Sequence, residues 1–113
     1  MMDLKGHVAV VTGASRGVGL AIAEALEVRG VVVAPVARSK TRYSADVSNQ
    51  ADVERLKNAV EADLGRPTMV INAAGIFGPI ALIKDNDPTQ WMETLLINTA
   101  GPYLVSRAFL GGM

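Results

Sequence analysis

A glycine-rich segment between a strand pattern and a helix pattern constrains the fold of this chain more than any other feature. The apolar run Val8–Val11 is typical of a strand buried on both faces. It leads directly into Thr12–Gly19, where three glycines follow the spacing Gly-x-x-x-Gly-x-Gly. A helical pattern then runs to Arg29, and Gly30 is well placed to end it. Such a strand-turn-helix unit indicates a parallel α/β sheet.

The rest of the chain alternates between strand and helix patterns. This alternation predicts a parallel sheet with right-handed crossovers: an α/β fold, namely a Rossmann-type, three-layer, doubly wound parallel sheet truncated after the helix that follows the fourth strand. We expect residues 1–113 to form a single domain. The later elements predicted are a helix over 18–29, a strand over 31–37, an extended piece over 43–47, a helix containing Val53, Leu56, Val60 and Leu64, a strand over 68–72 and a helix over 88–110.

The predicted first helix has one apolar stripe. Val18, Ile22 and Leu26 recur every four residues, with Ala21 and Ala25 beside them. We expect this stripe to pack on the sheet.

Two prolines mark expected irregularities. Pro35 lies inside the second strand, where its missing N–H is expected to distort the strand or end its pairing. Pro102 follows Asn98 by four residues, so the Asn98 carbonyl loses its helical donor; the adjacent Gly101 adds backbone freedom. We expect the last helix to be disturbed there.

The last helix has a clear start signal. Asp87 is a predicted N-cap, Pro88 fits the first helical position, and Gln90 completes an arrangement like a capping box. Trp91 and Leu95 are interpreted as packing positions.

Composition excludes several classes of function. Acidic and basic residues balance at 11 each, which favours neither nucleic acid nor an anionic membrane as a partner. The absence of cysteine excludes disulfides and thiolate metal sites. The sequence Asp85-Asn86-Asp87 is interpreted as a capping turn, and no metal site is predicted. No apolar run resembles a secretory signal or a membrane span, so we expect a cytoplasmic protein.

The glycine turn predicts an anion site. Unpaired backbone N–H groups at a helix N-terminus attract a pyrophosphate, and a turn without side chains lets the ligand approach. Gly13, Gly17 and Gly19 supply that turn, so a dinucleotide is the expected ligand. A P-loop is excluded because no Gly-Lys-Ser or Gly-Lys-Thr is present. A glycine-rich turn that binds nothing is the alternative interpretation.

Four ordered motifs resemble a known family. Thr12–Gly19, Ala45–Val47, Asn72–Gly75 and Ile97–Pro102 are similar to motifs of the classical short-chain dehydrogenases/reductases, in particular the ketoacyl-carrier-protein reductases, over the N-terminal half of a typical member. The resemblance implies that Asp46 meets the adenine ring and that Asn98 belongs to the catalytic tetrad. The cofactor-binding residues predicted are Gly13, Ser15, Arg16, Gly17, Val18, Gly19, Arg38, Asp46, Val47, Asn72, Ala73, Ala74 and Gly75.

The chain departs from the family pattern in three places. Ala73 replaces the second Asn of the third motif. The stretch from Arg38 to Asp46 is too short for the helix that usually joins the second and third strands. The catalytic Ser and Tyr-x-x-x-Lys are absent, and Tyr43 and Tyr103 are both interpreted as structural.

Charge near the second strand bears on the choice of nucleotide. NAD sites usually carry an acidic residue at the end of this strand, whereas NADP sites use Arg for the 2′-phosphate. Here Arg38 ends the strand and Arg16 lies in the glycine turn, so NADP(H) is preferred over NAD(H). The alternative is that both are solvated surface arginines.

The resemblance implies an NADP(H)-dependent oxidoreductase that transfers hydride between nicotinamide and a carbonyl or alcohol substrate. A non-catalytic nucleotide-binding module, or an inactive truncated fragment, is the alternative. We expect the 113 residues to be inactive alone. The edge of the fourth strand and part of the last helix are expected to be uncovered, which favours a homo-oligomer.

Overall fold

The computed structural model describes residues 3–113 and has the predicted order of strands and helices, with the last helix divided. A 3₁₀ turn (Ile83–Asp85) and a π-helical segment (Leu96–Ala100) complete it. The main elements are β1 (Val8–Thr12), α1 (Gly17–Val28), β2 (Val32–Ala37), β3 (Tyr43–Ser44), α2 (Gln50–Leu64), β4 (Met69–Asn72), α3 (Pro88–Leu95) and α4 (Gly101–Leu110).

The strands form one parallel sheet in the order β3-β2-β1-β4. Successive residues of β1 face opposite sides. Val10 packs in the core formed with α2 and α4, whereas Ala9 and Val11 pack in the core formed with α1. Helices therefore cover both faces, and the predicted three-layer, Rossmann-type fold is confirmed.

Pro35 does not interrupt β2, contrary to the prediction. The strand continues to Ala37, and its register with β1 is unbroken. The N–H of Val32 and the carbonyl of Val36 both bond toward β1. Pro35 is one residue out of step with them, so its missing N–H faces the opposite side, where β3 begins to pair only at Val36. The proline therefore costs no hydrogen bond to β1.

The connection from β2 to β3 contains no helix within the described chain, as predicted. It turns through Lys40, the one non-glycine residue among residues 3–113 with a positive φ (67°). The Ser44 hydroxyl donates to the Arg38 carbonyl at 2.6 Å, and the Thr41 hydroxyl donates to the Tyr43 carbonyl at 2.8 Å. These bonds hold a short loop beside the end of β2.

The packing face of α1 differs from the predicted stripe. Ala23 and Gly19 are its buried residues, whereas Val18 is 71% exposed. Ala21 and Ala25 are exposed as well. The buried face is therefore rotated along the helix, because the close contact of Gly19 with the preceding turn decides which side meets the sheet. Gly30 ends the helix with φ of 83°, as predicted.

The predicted N-cap of the last helix is present, but its packing is not as expected. Asp87 Oδ1 accepts the N–H of Thr89 at 3.0 Å. Within residues 3–113 the Gln90 side chain makes no return bond, so the capping box is incomplete. Trp91 and Leu95 are 51% and 42% exposed, and no residue of α3 is buried. The interpretation of both as packing positions is therefore not met within residues 3–113.

Two parts of the fold bear on the predicted self-association: the outer edge of β4 and the packing of α4. Within residues 3–113, β4 pairs only with β1, which leaves its other edge open as predicted. α4 buries Val105, Ala108 and Phe109 against the sheet. The last helix, α4, is thus held against the sheet by buried side chains, whereas α3 buries none.

Candidate nucleotide-binding site

The glycine turn after β1 is shaped by close backbone packing. A Cβ on Gly19 would lie 2.1 Å from the carbonyl oxygen of Gly13, and a Cβ on Gly13 would lie 2.6 Å from the carbonyl oxygen of Ala73. Gly13 and Gly17 also have φ values of 65° and 60°, which side chains disfavour. The turn, the start of α1 and the loop after β4 can approach one another only because these positions lack side chains.

Thr12 joins the turn to the loop after β4. Thr12 is 1% exposed, and its hydroxyl accepts hydrogen bonds from the N–H groups of Ala73 at 3.2 Å and Ala74 at 3.1 Å. The same hydroxyl lies 3.5 Å from the carbonyl of Ile71. A single buried hydroxyl therefore fixes two of the predicted binding segments against each other.

A cleft of about 940 Å³ opens at the carboxyl ends of the strands. This is where open α/β sheets bind ligands. Every predicted cofactor-binding residue except Asn72 lines the cleft. The lining also includes residues that were not predicted: Val36, Ala37, Ser39, Lys40, Ala45, Ile76, Phe77 and Ile97.

Asn72 is not part of the cleft lining, and its place in the cofactor site stays a prediction. It shares the side of β4 that carries Val70 toward α4, since alternate strand residues face the same way. Its Nδ2 donates to Ser106 Oγ at 3.2 Å. Asn72 therefore ties the end of β4 to α4.

Asp46 lines the cleft and belongs to a small hydrogen-bond network. Its Oδ1 accepts the backbone N–H of Ser48 at 3.0 Å and the Ser48 hydroxyl at 2.6 Å. Its own N–H donates to Asp52 Oδ2 at 3.0 Å. That backbone bond, followed by the hydrogen bond from Arg55, lowers the pKa of Asp52. The network holds the Asp46 carboxylate at the wall opposite the glycine turn.

Three cations line the cleft. Arg16, Arg38 and Lys40 all belong to the lining, and Asp46 is its one acidic residue. Arg38 Nη2 lies 3.4 Å from Glu93 Oε1 of α3. Sequence analysis did not predict Ser39 and Lys40 as site residues, although the segment 38–40 carries two basic residues. Its position became meaningful only when the helix-free loop turned it back toward the cleft.

Asn98 lies beside the cleft rather than in its lining. Its Oδ1 accepts the N–H of Ile76, and its Nδ2 donates to the carbonyl of Ile76, both at 2.8 Å. Gly75 is close by, since a Cβ there would be 3.2 Å from Asn98 Oδ1. The Asn98 side chain therefore holds the loop after β4, while the neighbouring Ile97 reaches the cleft.

The helix is disturbed near Gly101 and Pro102, as predicted. Residues Leu96–Ala100 are π-helical, and the Gly101 N–H donates to the Leu96 carbonyl five residues back. Pro102 cannot donate to the Asn98 carbonyl. Gly101 also allows close packing, since a Cβ there would lie 2.8 Å from Val47 Cγ2. Pi-helical segments often occur at functional sites.

Tyr43 and Tyr103 both lie outside the cleft lining. Tyr43 is buried, and its hydroxyl donates to Asp63 Oδ2 at 2.9 Å. Burial, and then this hydrogen bond, raises the pKa of Tyr43. Tyr103 is exposed on α4. Burial and pairing give Tyr43 the structural role predicted for it.

Residues 3–113 contain neither a metal-binding cluster nor a helix suited to span a membrane. No group of three His, Cys, Asp or Glu side chains is arranged to hold a metal ion there. None of the helices described there combines the length and the apolar character that crossing a membrane requires.

The parallel sheet, its strand order and the glycine turn define an α/β fold of the Rossmann type. Comparison with known proteins gives the family. Residues 7–113 match the family described as short chain dehydrogenase, and the chain belongs to that family.

Individual relatives agree with this assignment. The chain is 35% identical to the short chain dehydrogenase tazN of Aspergillus terreus, covering 97% of this chain and 28% of tazN. It is 34% identical to the 3-oxoacyl-[acyl-carrier-protein] reductase FabG of Pseudomonas aeruginosa, covering 99% of this chain and 52% of the reductase. A metagenomic short-chain oxidoreductase in complex with NADP superposes with a TM-score of 0.89 at 31% identity, covering 99% of this chain and 58% of that one. The chain thus spans about half or less of the curated relatives' length.

Proposed function

We propose that this chain is the cofactor-binding half of an NADP(H)-dependent reductase of carbonyls or dehydrogenase of alcohols. One observation carries the preference for NADP(H): Arg16 of the glycine turn and Arg38 and Lys40 after β2 all line the same cleft. Guanidinium groups form bidentate, charge-assisted bonds with phosphate oxygens. A 2′-phosphate is the group that such a set of cations would select.

The residues of the cleft fit a dinucleotide. The missing side chains at Gly13 and Gly19 let the turn pack closely against Ala73 and the start of α1, and Gly17 at the N-terminus of α1 leaves open space in the cleft. The backbone N–H groups at this N-terminus would hold the pyrophosphate. Asp46 and Val47 would bound the adenine, and Ala74 and Gly75 would lie along the path toward the nicotinamide. When bound, the nicotinamide would donate or accept a hydride.

Other residues of this chain would act by position rather than by chemistry. Asn98 would fix the loop after β4 through its two bonds to Ile76, and thereby shape the floor of the cleft. No catalytic Ser and no Tyr-x-x-x-Lys occur in the 113 residues. We therefore propose that these residues bind cofactor but do not turn over a substrate by themselves, and the small carbonyl or alcohol substrate stays a proposal.

A titration tests the proposal. The 113-residue chain is titrated with NADPH and with NADH, following nucleotide fluorescence and heat. We expect saturable binding that prefers NADPH, and an Arg38→Ala variant that loses about tenfold in NADPH affinity, the size of a charged hydrogen bond. Arg107→Ala is the matched control, since Arg107 is similarly exposed, is paired with Glu54, and neither residue of that pair lines the cleft. Equal affinity for both nucleotides would contradict the NADP(H) preference, and no binding would contradict the function.

A non-catalytic nucleotide-binding module is the second candidate, and it is favoured because neither a catalytic Ser nor a Tyr-x-x-x-Lys occurs in the 113 residues. An assay of NADPH oxidation with a panel of ketones, made on the product of the whole reading frame, separates the two candidates, because only an active enzyme consumes NADPH. The cytoplasmic location, the lack of nucleic-acid and membrane partners, and assembly into a homo-oligomer also stay predictions.

A further inference from the structure

One cation of the cleft lining has an acidic partner from a distant part of the chain. Glu93 of α3 is 55 residues from Arg38 in sequence, and its Oε1 lies 3.4 Å from Arg38 Nη2. Arg38 lines the cleft, whereas Glu93 lines a smaller recess beside it, together with Ile76 and Phe77. The ion pair therefore joins α3 to the end of β2 at the rim of the proposed site.

The geometry makes Glu93 a competitor for the guanidinium. A phosphate binds arginine through two parallel N–H bonds from the guanidinium fork. Glu93 occupies one arm of that fork at Nη2. A phosphate dianion brought to the same group would also meet a carboxylate of like charge. Arg38 can thus serve the carboxylate or the phosphate well, but not both at once.

We propose that Glu93 is a specificity-determining residue: its carboxylate competes with the nucleotide's 2′-phosphate for Arg38 and so moderates the preference for NADP(H) over NAD(H). The inference rests on the proposed function, because it needs a nucleotide in the cleft. Glu93 acts through Arg38 and touches no reacting atom.

The pair is suited to exchange. The side chains of Arg38 and Glu93 are 58% and 49% exposed, and exposed ion pairs are weak. Arg16 and Lys40 line the same cleft, and neither forms an ion pair within residues 3–113. A bound phosphate would therefore meet Arg16 and Lys40 without carboxylate partners, but it would have to displace Glu93 from Arg38.

The chain offers a matched control for charge. Glu54 pairs with Arg107 at 3.5 Å, and the side chains of Glu54 and Arg107 are 44% and 52% exposed. Neither residue lines the cleft. Glu54→Gln removes the same charge from a comparable pair, so it reports the general effect of one lost negative charge on the binding of an anion.

The test measures the affinity of NADPH and NADH for the wild-type chain and for the E93Q, E54Q, R38A and R38A/E93Q variants, with circular dichroism to verify folding. We expect E93Q to bind NADPH about two- to fivefold more tightly than wild type, the size expected on losing an exposed ion pair. NADH should gain no more than it gains in E54Q. In the R38A background the E93Q change should have no effect, because the contested group is gone.

Each other outcome has a distinct meaning. Equal NADPH affinities in E93Q and E54Q, with wild type still preferring NADPH, overturn the competition alone. Weaker binding of both nucleotides in E93Q overturns it as well, because Glu93 would then contact the nucleotide directly. A wild-type chain that binds neither nucleotide overturns the proposed function and this inference together.

Discussion

The glycine turn after β1 lines the cleft and the helix α3 lines the smaller recess beside it, yet the two are built in opposite ways. The turn is held by backbone contacts that leave no room for a Cβ and by the buried hydroxyl of Thr12. α3 buries no residue and is held by its Asp87 cap and the Arg38–Glu93 pair. The comparison teaches that the phosphate side of the site is rigidly specified, whereas the rim formed by α3 is free to adjust.

Within the two regions compared, the largest expected effect comes from adding one methyl group to the turn. Gly19→Ala would place its Cβ 2.1 Å from the Gly13 carbonyl oxygen. Since backbone cannot yield as a side chain does, we expect a loss of about 3 kcal/mol in the free energy of unfolding. Urea denaturation measures it. Gly111→Ala is the control, because Gly111 has open space and a helical φ of −62°. Equal stability of the two variants would show that the turn relaxes easily.

The buried hydroxyl of Thr12 should matter next. Thr12→Val keeps the shape but leaves the N–H groups of Ala73 and Ala74 without their acceptor. We expect a loss of about 2 kcal/mol, the cost of unsatisfied buried donors. Thr94→Val in α3 removes a hydroxyl that bonds only the Gln90 carbonyl, and should change stability by less than about 0.5 kcal/mol. Similar losses in both variants would remove the contrast between the two regions.

The stability contributed by the Asp46–Asp52 hydrogen bond should depend on pH. The backbone N–H of Asp46, and then Arg55, lower the pKa of Asp52 below its usual 3.8 in the folded chain. A carboxyl with a lowered folded pKa contributes stability above its unfolded pKa, and this contribution is lost as the pH falls through the folded value. Wild type should therefore lose stability below about pH 4 more steeply than Asp52→Asn.

Denaturation midpoints between pH 3 and pH 6 measure this difference. Asp87→Asn is the matched control in α3, because asparagine removes a carboxylate and still caps a helix. A wild-type profile parallel to that of Asp52→Asn would mean that the Asp46–Asp52 bond does not persist in solution.

Sequence reasoning succeeded where a residue's role depends on its immediate neighbours. The spacing of Gly13, Gly17 and Gly19 predicted the turn, and the short segment after Arg38 predicted a connection without a helix. It failed where the role depends on a distant partner. Asn72 turns toward Ser106 because of strand parity, and the place of Lys40 in the cleft depends on how the loop folds back. Neither partner is visible in local spacing.

α3 supplies the instructive failure. Trp91 and Leu95 follow a pattern typical of a packed helix, yet they are exposed, together with Phe77 and Ile80 in the preceding loop. Apolar periodicity predicts that a face will be buried, but it does not say against what. The pattern that made these residues look like core is equally typical of a surface that pairs with another molecule.

The smallest expected effect on the free energy of unfolding is that of Trp91→Gln, which tests whether the exposed apolar face of α3 mediates self-association. Because Trp91 is 51% exposed, Trp91→Gln should change the free energy of unfolding by less than about 0.5 kcal/mol when measured at a concentration where the chain is monomeric. Phe109→Ala, which empties a buried aromatic position under α4, should lose about 3 kcal/mol or more in the same assay. If the exposed face mediates self-association, sedimentation should show weaker assembly of Trp91→Gln at high concentration while its monomer stays intact. A large loss of monomer stability would instead place Trp91 in the core, and the contrast between a rigid turn and an adjustable α3 would then fail.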